Sequence, residues 1–358
     1  MNFGIIGAGM IANFHAKAIA AMAGAELTAV YARRLDAAIT LTGEHGGTAY
    51  SDLDAFLAHP GLDIVTICTP SGAHLEPAVA AAKAGKHIIC EKPLEVTAER
   101  IDDMINAAAG HGVTLAGVFP RRFNAATIAL KRAVDAGRFG RITMAAAIVK
   151  WWRPQSYYDS GAWRGTWALD GGGALMNQSI HTIDLLLHVM GDVASVQGET
   201  SCLTHSGIEV EDTAVAMLQF NNGALGTIQG STACWSRDGH PAEIQICGER
   251  GSVFMRDDRF SVWEFDDESE EDRRIRAELG INTPQAGAGA ADPAAIDFVW
   301  HQRNFEDVMQ AIKSGRPPAV DGAEARRAVA LIRAIYQSAT NDGVKIKPTA
   351  GQLGRVVS

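Results

Sequence analysis

A short apolar strand that runs into a glycine turn and then into a helix leaves a chain few ways to fold. Residues 3–6 (FGII) are such a strand, followed at once by Gly7-Ala8-Gly9-Met10-Ile11-Ala12 and an Ala-rich helix. This is the G-x-G-x-x-A spacing of a dinucleotide fingerprint. Gly7 permits the tight turn, Gly9 lets the backbone approach a pyrophosphate, and Ala12 keeps the helix close to the sheet. The helix N-terminus then faces the phosphates. Gly7, Gly9, Met10, Ile11 and Ala12 are therefore candidate cofactor contacts, against the plainer reading of a βα turn that holds no ligand.

The following hundred residues keep the alternation. Strand-like runs at 3–6, 26–31, 64–68, 87–90 and 113–118 are separated by Ala-rich helical stretches near 10–22, 35–44, 74–84 and 97–110. That pattern predicts a doubly wound parallel sheet. Beyond residue 121 the period changes. Runs near 142–151, 195–203, 212–220, 224–231, 242–247, 250–255 and 260–265 follow one another through hairpin-length links, with turn signals at Asn222-Gly223, Gly248 to Gly251 and Asp257-Asp258. These predict a large, mostly antiparallel sheet. Helices are expected beside it near 122–136 and 174–190, and two more near 296–314 and 322–341. Residues 266–292, opening DDESEEDRR and passing into QAGAGAADP, read as a mobile surface loop. A length of 358 residues calls for roughly two domains.

Charge and composition exclude several functions. A net charge of −9 argues against nucleic-acid or acidic-membrane binding, and no apolar run is long enough for a membrane helix. The glycine turn at residue 7 leaves no room for a removable leader. Five scattered cysteines read as reduced core residues of a cytoplasmic protein rather than as bridges or metal ligands.

Candidate chemistry gathers at strand ends. The second strand ends Tyr31-Ala32-Arg33-Arg34 with no acid before Asp36, where an NAD site places a carboxylate on the ribose. Arg33 and Arg34 suit a 2′-phosphate instead, which favours NADP with NAD as the alternative. Thr69, Pro70 and Ser71 follow the next strand as cofactor-adjacent residues, with Ser71 also a candidate helix cap and His74 structural or cofactor-adjacent rather than catalytic. The stretch Lys86 to Pro93 is a buried strand that delivers Glu91, Lys92 and Pro93 to the carboxyl edge, where open α/β sheets hold ligands.

In the second half, DGGGALMNQSIHTIDLLLH (170–188) has Gly171 to Gly173 as a flexible lead-in to a helix with Asn177 and His181 on one face. Removing a hydride from a secondary alcohol needs a base for the hydroxyl proton, and Lys92 and His181 are the two candidates. Metal binding by His181, Asp184 and His188 is the weaker alternative, as is a histidine satisfied in the core; no metal is expected. Residues 150–167 hold four of the seven tryptophans and two of the five tyrosines. Their rings suit sugar faces, with Arg153 and Arg164 as donors to hydroxyls or acids, or they form a subunit interface. Arg121, Arg122, His301 and Gln302 are further candidates for the same cleft.

Taken together, GAGMIA (7–12), TPSGAH (69–74), EKP (91–93), Trp163-Arg164, GGGALMNQSIH (171–181) and VDGAEARRA (320–328) resemble the family of glucose-fructose oxidoreductase, inositol dehydrogenase and the rhizopine-catabolism oxidoreductases over nearly the whole chain. The resemblance implies an N-terminal Rossmann NAD(P)-binding domain over residues 1–121. An α+β domain for substrate binding and oligomerisation would follow over 122–358, its C-terminal helices packing back toward the first. It implies Lys92 and His181 as the catalytic pair. Glu91, Lys92 and Arg164 would join the cofactor contacts, and Lys92, Arg122, Arg153, Tyr157, Trp163, Asn177, His181 and His301 would bind substrate. Many members carry Asp where this chain has Asn177, which holds a hydroxyl but cannot relay a proton. The expectation is a cytoplasmic homodimer or homotetramer, associating through the antiparallel sheet, that oxidises a sugar, polyol or sugar derivative. A sugar-nucleotide uronate is the alternative substrate, and a silent cofactor-binding regulator the alternative function.

Overall fold

A computed structural model of the chain describes residues 1–281 and 298–348. Among these, residues 1–120 with 298–326 form one compact unit, and residues 121–281 with 327–348 form another.

The first unit is built on β1 (Asn2–Ile6), β2 (Glu26–Tyr31), β3 (Thr48–Tyr50), β4 (Ile64–Ile67), β5 (His87–Cys90) and β6 (Leu115–Gly117). They pair in the order β3-β2-β1-β4-β5-β6, and every pairing is parallel. Crossovers run through α1 (Met10–Ala21), α2 (Leu35–His45), α3 (Leu53–Leu57), α4 (Leu75–Lys83) and α5 (Ala98–Gly110). Strands buried on both faces are continuous apolar runs, and all four residues of β4 are buried. The winding reverses between β1 and β4, so the carboxyl ends of those strands flank the crevice where such sheets hold ligands. Strand β3 has only three residues, too short for its pattern to show in the sequence.

The second unit opens with α6 (Ala125–Asp135), capped by Asn124, whose side chain accepts from the Thr127 amide. Its sheet comprises β7 (Ile142–Lys150), β8 (Val193–Ser201), β9 (Thr213–Phe220), β10 (Leu225–Ser231), β11 (Glu243–Gly248), β12 (Gly251–Arg256) and β13 (Arg259–Phe265). The order is β13-β12-β11-β7-β10-β9-β8, antiparallel throughout except for β7 with β10. Along β9 the period of two is explicit: Ala214, Ala216, Leu218 and Phe220 are buried while Val215 and Met217 are exposed. Two helices follow β7: α7 (Gln155–Asp159) and α8 (Ile180–Met190).

One expectation fails here. Part of the stretch read as a mobile loop is α9 (Glu270–Leu279), and residues 282–292 lie outside the described residues. Ser269 and Asp272 form a capping box, and the Asp272 carboxylate also accepts from Arg138 at 2.6 and 3.0 Å and from the Trp263 indole at 2.7 Å. Those partners hold its carboxyl well below the usual range despite burial. The remaining helices are α10 (Val299–Ser314), in the first unit, and α11 (Gly322–Ala339), within which the boundary between units falls. No helix among the described residues is long and apolar enough to cross a membrane. The five cysteines are free thiols.

Candidate active site

At the head of the first unit, Gly7 adopts φ 98°, and a side chain there would meet the Cys68 carbonyl carbon and oxygen at 2.9 Å. Gly9 is the N-cap of α1 with no side-chain cap, and the space a Cβ would fill is open. The first turn of α1 holds no acid, so no carboxylate of that turn offsets the positive end of the helix dipole. These features fit a dinucleotide pyrophosphate, with Met10 and Ile11 beside it and Ala12 buried against the sheet. Arg33 and Arg34 are exposed beyond the end of β2, and Asp36 lies 3.7 Å from Arg34.

Beyond β4, the Thr69 hydroxyl donates to the Ala73 carbonyl, and Ser71 opens a 3₁₀ turn (Ser71–Ala73). Ser71 does not cap α4: His74 occupies the N-cap without a side-chain cap bond of its own, and the Leu75 amide donates instead to the Glu95 carboxylate at 3.4 Å. The His74 ring is buried, with Nε2 2.8 Å from the Thr69 carbonyl and Nδ1 3.0 Å from that of Pro93. Both ring nitrogens thus brace the two loops together, the structural one of the two roles expected for this residue.

The turn after β5 is buried from Ile88 to Val96 with a single exception, Lys92. Beside it, Glu91 points inward. One carboxylate oxygen lies 2.8 Å from His15 Nε2, and the other accepts from the Lys92 amide at 3.0 Å. Burial raises the Glu91 carboxyl, but the hydrogen bond and field of His15, with His301 and Lys92 beyond, bring it down to about 2. Both oxygens have partners inside the unit, so the side chain supports the turn. His301, on α10, is buried in this unit against Phe14 and His15, 4.0 Å from Glu91. Burial lowers it to about 4, leaving the ring neutral near pH 7. Its expected place at the substrate is corrected to the interior behind Glu91. His15, Glu91 and His301 are also the described grouping whose ligand atoms lie close enough for a metal ion.

In the second unit the glycine segment is pinned, not flexible. A Cβ on Gly172 would meet the Tyr336 hydroxyl at 2.1 Å, and one on Gly173 the Glu211 carbonyl oxygen at 1.8 Å. The Glu211 carboxylate accepts from the amides of Gly173 and Leu175 at 2.9 and 2.8 Å and from the Tyr336 hydroxyl at 3.0 Å. Burial outweighs those donors and raises Glu211 to about 7. The chain next takes a π-helical course over Ala174–Ser179 before α8 begins. Between Gly171 and Leu187 every residue is buried except Asn177 and His181. The wider π turn keeps these two four residues apart on one face.

Asp170, buried at the start of this segment, accepts from the Asn177 side-chain Nδ2 at 2.5 Å and from the Gly165 backbone amide at 2.9 Å. Gln178 donates to the Tyr157 hydroxyl at 2.8 Å and accepts from Arg153 at 3.0 Å. Arg164 also donates to that hydroxyl, at 2.5 Å, and stacks on the rings of Tyr157 and Trp163. The aromatic segment and the glycine-led helix thus form one network around Asn177, with Arg164, Tyr157 and Trp163 half-exposed and Arg153 buried beneath. Arg122 is not part of it. It makes a buried bidentate pair with Asp184 at 2.6 and 2.8 Å, which corrects its assignment to substrate. That pairing also removes Asp184 from the metal set weighed with His181 and His188. Asp170, Gln178, Glu211 and Tyr336 escape a sequence reading because their roles depend on partners up to 125 residues away.

Comparison with known proteins agrees with this architecture. A family model described as "Oxidoreductase family, NAD-binding Rossmann fold" matches residues 1–119, and one for the "GFO/IDH/MocA C-terminal domain" matches 127–254. The myo-inositol 2-dehydrogenase of Thermotoga maritima is 28% identical over 340 residues, 92% of this chain and 94% of the relative. The D-glucoside 3-dehydrogenase of Escherichia coli is 30% identical over 70% of this chain and 76% of its own. Among solved structures, the WlbA dehydrogenase of Bordetella pertussis, in complex with NADH and UDP-GlcNAcA, is 34% identical with a TM-score of 0.86, covering 98% of each chain.

Proposed function

Because the chain belongs to the Gfo/Idh/MocA family of oxidoreductases, we propose that it moves a hydride between a nicotinamide cofactor and a secondary alcohol of a sugar, polyol or sugar derivative. When bound, the cofactor supplies the hydride acceptor. Lys92 takes the hydroxyl proton. His181 orients that hydroxyl or relays the proton, and Asn177 anchors a neighbouring hydroxyl. The observation that carries this reading is a shared pattern of exposure: Lys92 is the one residue not buried in its turn, and Asn177 and His181 are the only two in theirs. Buried elements that leave only such groups uncovered are suited to acid–base work on a bound molecule.

The Arg164–Tyr157–Arg153 network favours an acidic sugar within that class. A guanidinium held by a phenol hydroxyl and two aromatic faces is preorganised for a carboxylate. The uronate in the complex of the Bordetella pertussis relative lends support to a uronate, free or nucleotide-linked. Arg33 and Arg34 support NADP as the preferred cofactor. Met144, Met217 and Leu225, more than half exposed on the outer face of the second sheet, support association through that sheet as a homodimer or homotetramer. Free thiols support a reducing, cytoplasmic setting.

The test is a panel of polyols, aldoses, sugar acids and nucleotide-linked uronates with both cofactors, read by the absorbance of the reduced nicotinamide. Lys92→Ala and His181→Ala are expected to lose at least about tenfold in kcat. Cofactor binding with no turnover across the panel, or variants that keep wild-type kcat, would overturn the reading.

A further inference from the structure

The first unit buries a carboxylate immediately beside Lys92, where an apolar residue would pack at lower cost. Each neighbour of that carboxylate is identifiable. From α1, His15 presents Nε2, which must carry a proton to face an ionised carboxylate at 2.8 Å. Behind it, His15 Nδ1 lies 2.7 Å from the Thr66 hydroxyl of β4 and 3.1 Å from the Cys68 thiol. From α10 comes His301, with Nε2 4.0 Å away. The Cys90 thiol of β5 precedes Glu91 in the chain, and burial pushes both thiols up. The backbone is fixed as well, since the Glu91 amide donates to the Ile67 carbonyl at 3.0 Å.

We propose that His15 and Glu91 are a positioning pair for Lys92: the clamped carboxylate holds the Lys92 peptide N–H and sets the charge state of its amine. The inference rests on the reading of Lys92 as the acid–base group. A fixed anion favours the ammonium form and therefore delays the appearance of the free base as pH rises. His301, lowered by burial to about 4, is neutral near pH 7, so the anion's field is not cancelled from α10. A metal ion held by His15, Glu91 and His301 is the competing account of the same three residues. The 2.8 and 2.7 Å contacts of His15 are hydrogen-bond lengths, which favours a proton between His15 and Glu91.

The experiment measures kcat/KM against pH, with separate KM values for cofactor and substrate, for wild type, Glu91→Gln, Glu91→Asp, His15→Gln and Lys92→Ala, alongside metal analysis of the purified protein. Glu91→Gln is expected to lower kcat about tenfold and move the acid limb down by about one pH unit, the low end for loss of a neighbouring opposite charge. Glu91→Asp keeps the charge and leaves the limb in place. His15→Gln lowers kcat several-fold with cofactor KM unchanged, and it carries the test if Glu91→Gln does not fold. An unmoved limb in Glu91→Gln, a loss confined to cofactor KM, an unaffected His15→Gln, or a stoichiometric metal in the wild type that is lost in His15→Gln would each overturn the pair. Should Lys92→Ala retain activity, the acid–base reading falls, and this inference with it. Should Lys92→Ala be inactive while Glu91→Gln keeps the wild-type limb, only the pair falls.

Discussion

Replacing Glu211 by Gln tests whether the segment bearing Asn177 and His181 is held by a carboxylate the fold keeps close to neutrality. Burial raises this acid from 4.5 to about 7, so the folded protein binds a proton there that the unfolded chain releases. The folded pKa lies above the unfolded one. Stability from this group is therefore fully present below about pH 4.5 and is lost as pH rises through about 7. At 1.36 kcal/mol per unit the shift corresponds to about 3 kcal/mol. Glutamine keeps the volume and an acceptor for the Leu175 amide and the Tyr336 hydroxyl, and it has no charge to gain. The assay is denaturant unfolding of both proteins at fixed ionic strength from about pH 5 to 8.5. Subtracting one curve from the other cancels the groups they share. The wild type is expected to fall relative to Glu211→Gln by about 3 kcal/mol across the window. A difference that stays flat to within about 1 kcal/mol refutes the reasoning, and so does one that grows in favour of the wild type with rising pH. Either result means that the three donors outweigh burial and the carboxylate is ionised throughout.

Other expectations follow from the same geometry. Arg122→Met leaves Asp184 buried without its bidentate partner and should cost about 3–5 kcal/mol in denaturant unfolding. Arg122→Met/Asp184→Leu should recover most of that loss, and equal losses in single and double variants would contradict it. Gly173→Ala drives a methyl into the Glu211 carbonyl; it should lower both Tm and kcat, and a wild-type Tm would show that the segment yields. Alanine at both Arg33 and Arg34 should raise KM for NADP about tenfold and leave that for NAD unchanged. A wild-type kcat/KM for NAD equal to or above that for NADP would remove the premise.

Much of the fold is legible in the order of residues because its signals are local. Strand β1, the glycine turn and α1 are contiguous, and the hairpins of the second unit carry their turn residues between their strands, as at Asn222-Gly223 and at Asp257, which takes φ 48°. Helix α9 was not legible, although Ser269 and Asp272 are three residues apart, because its acidic run reads as solvated until Arg138 and Trp263 are brought to it. The same limit applies at the site. The partial exposure of Lys92, Asn177 and His181 follows patterns the sequence displays. Whether a charged side chain faces a ligand or a neighbour does not, as Arg122 on Asp184 and His301 behind Glu91 demonstrate.

The placement of β7 has a consequence for the newly made chain. This strand lies between β10 and β11, so both of its ladders wait for residues 225–231 and 243–248 to be synthesised. Until then a nine-residue strand containing Ala145, Ala147 and Val149 emerges from the ribosome with two unpaired edges. Contacts this distant in sequence form slowly, so the sheet of the second unit is expected to close only late in synthesis. Truncation before residue 243 is expected to convert it into an aggregating fragment.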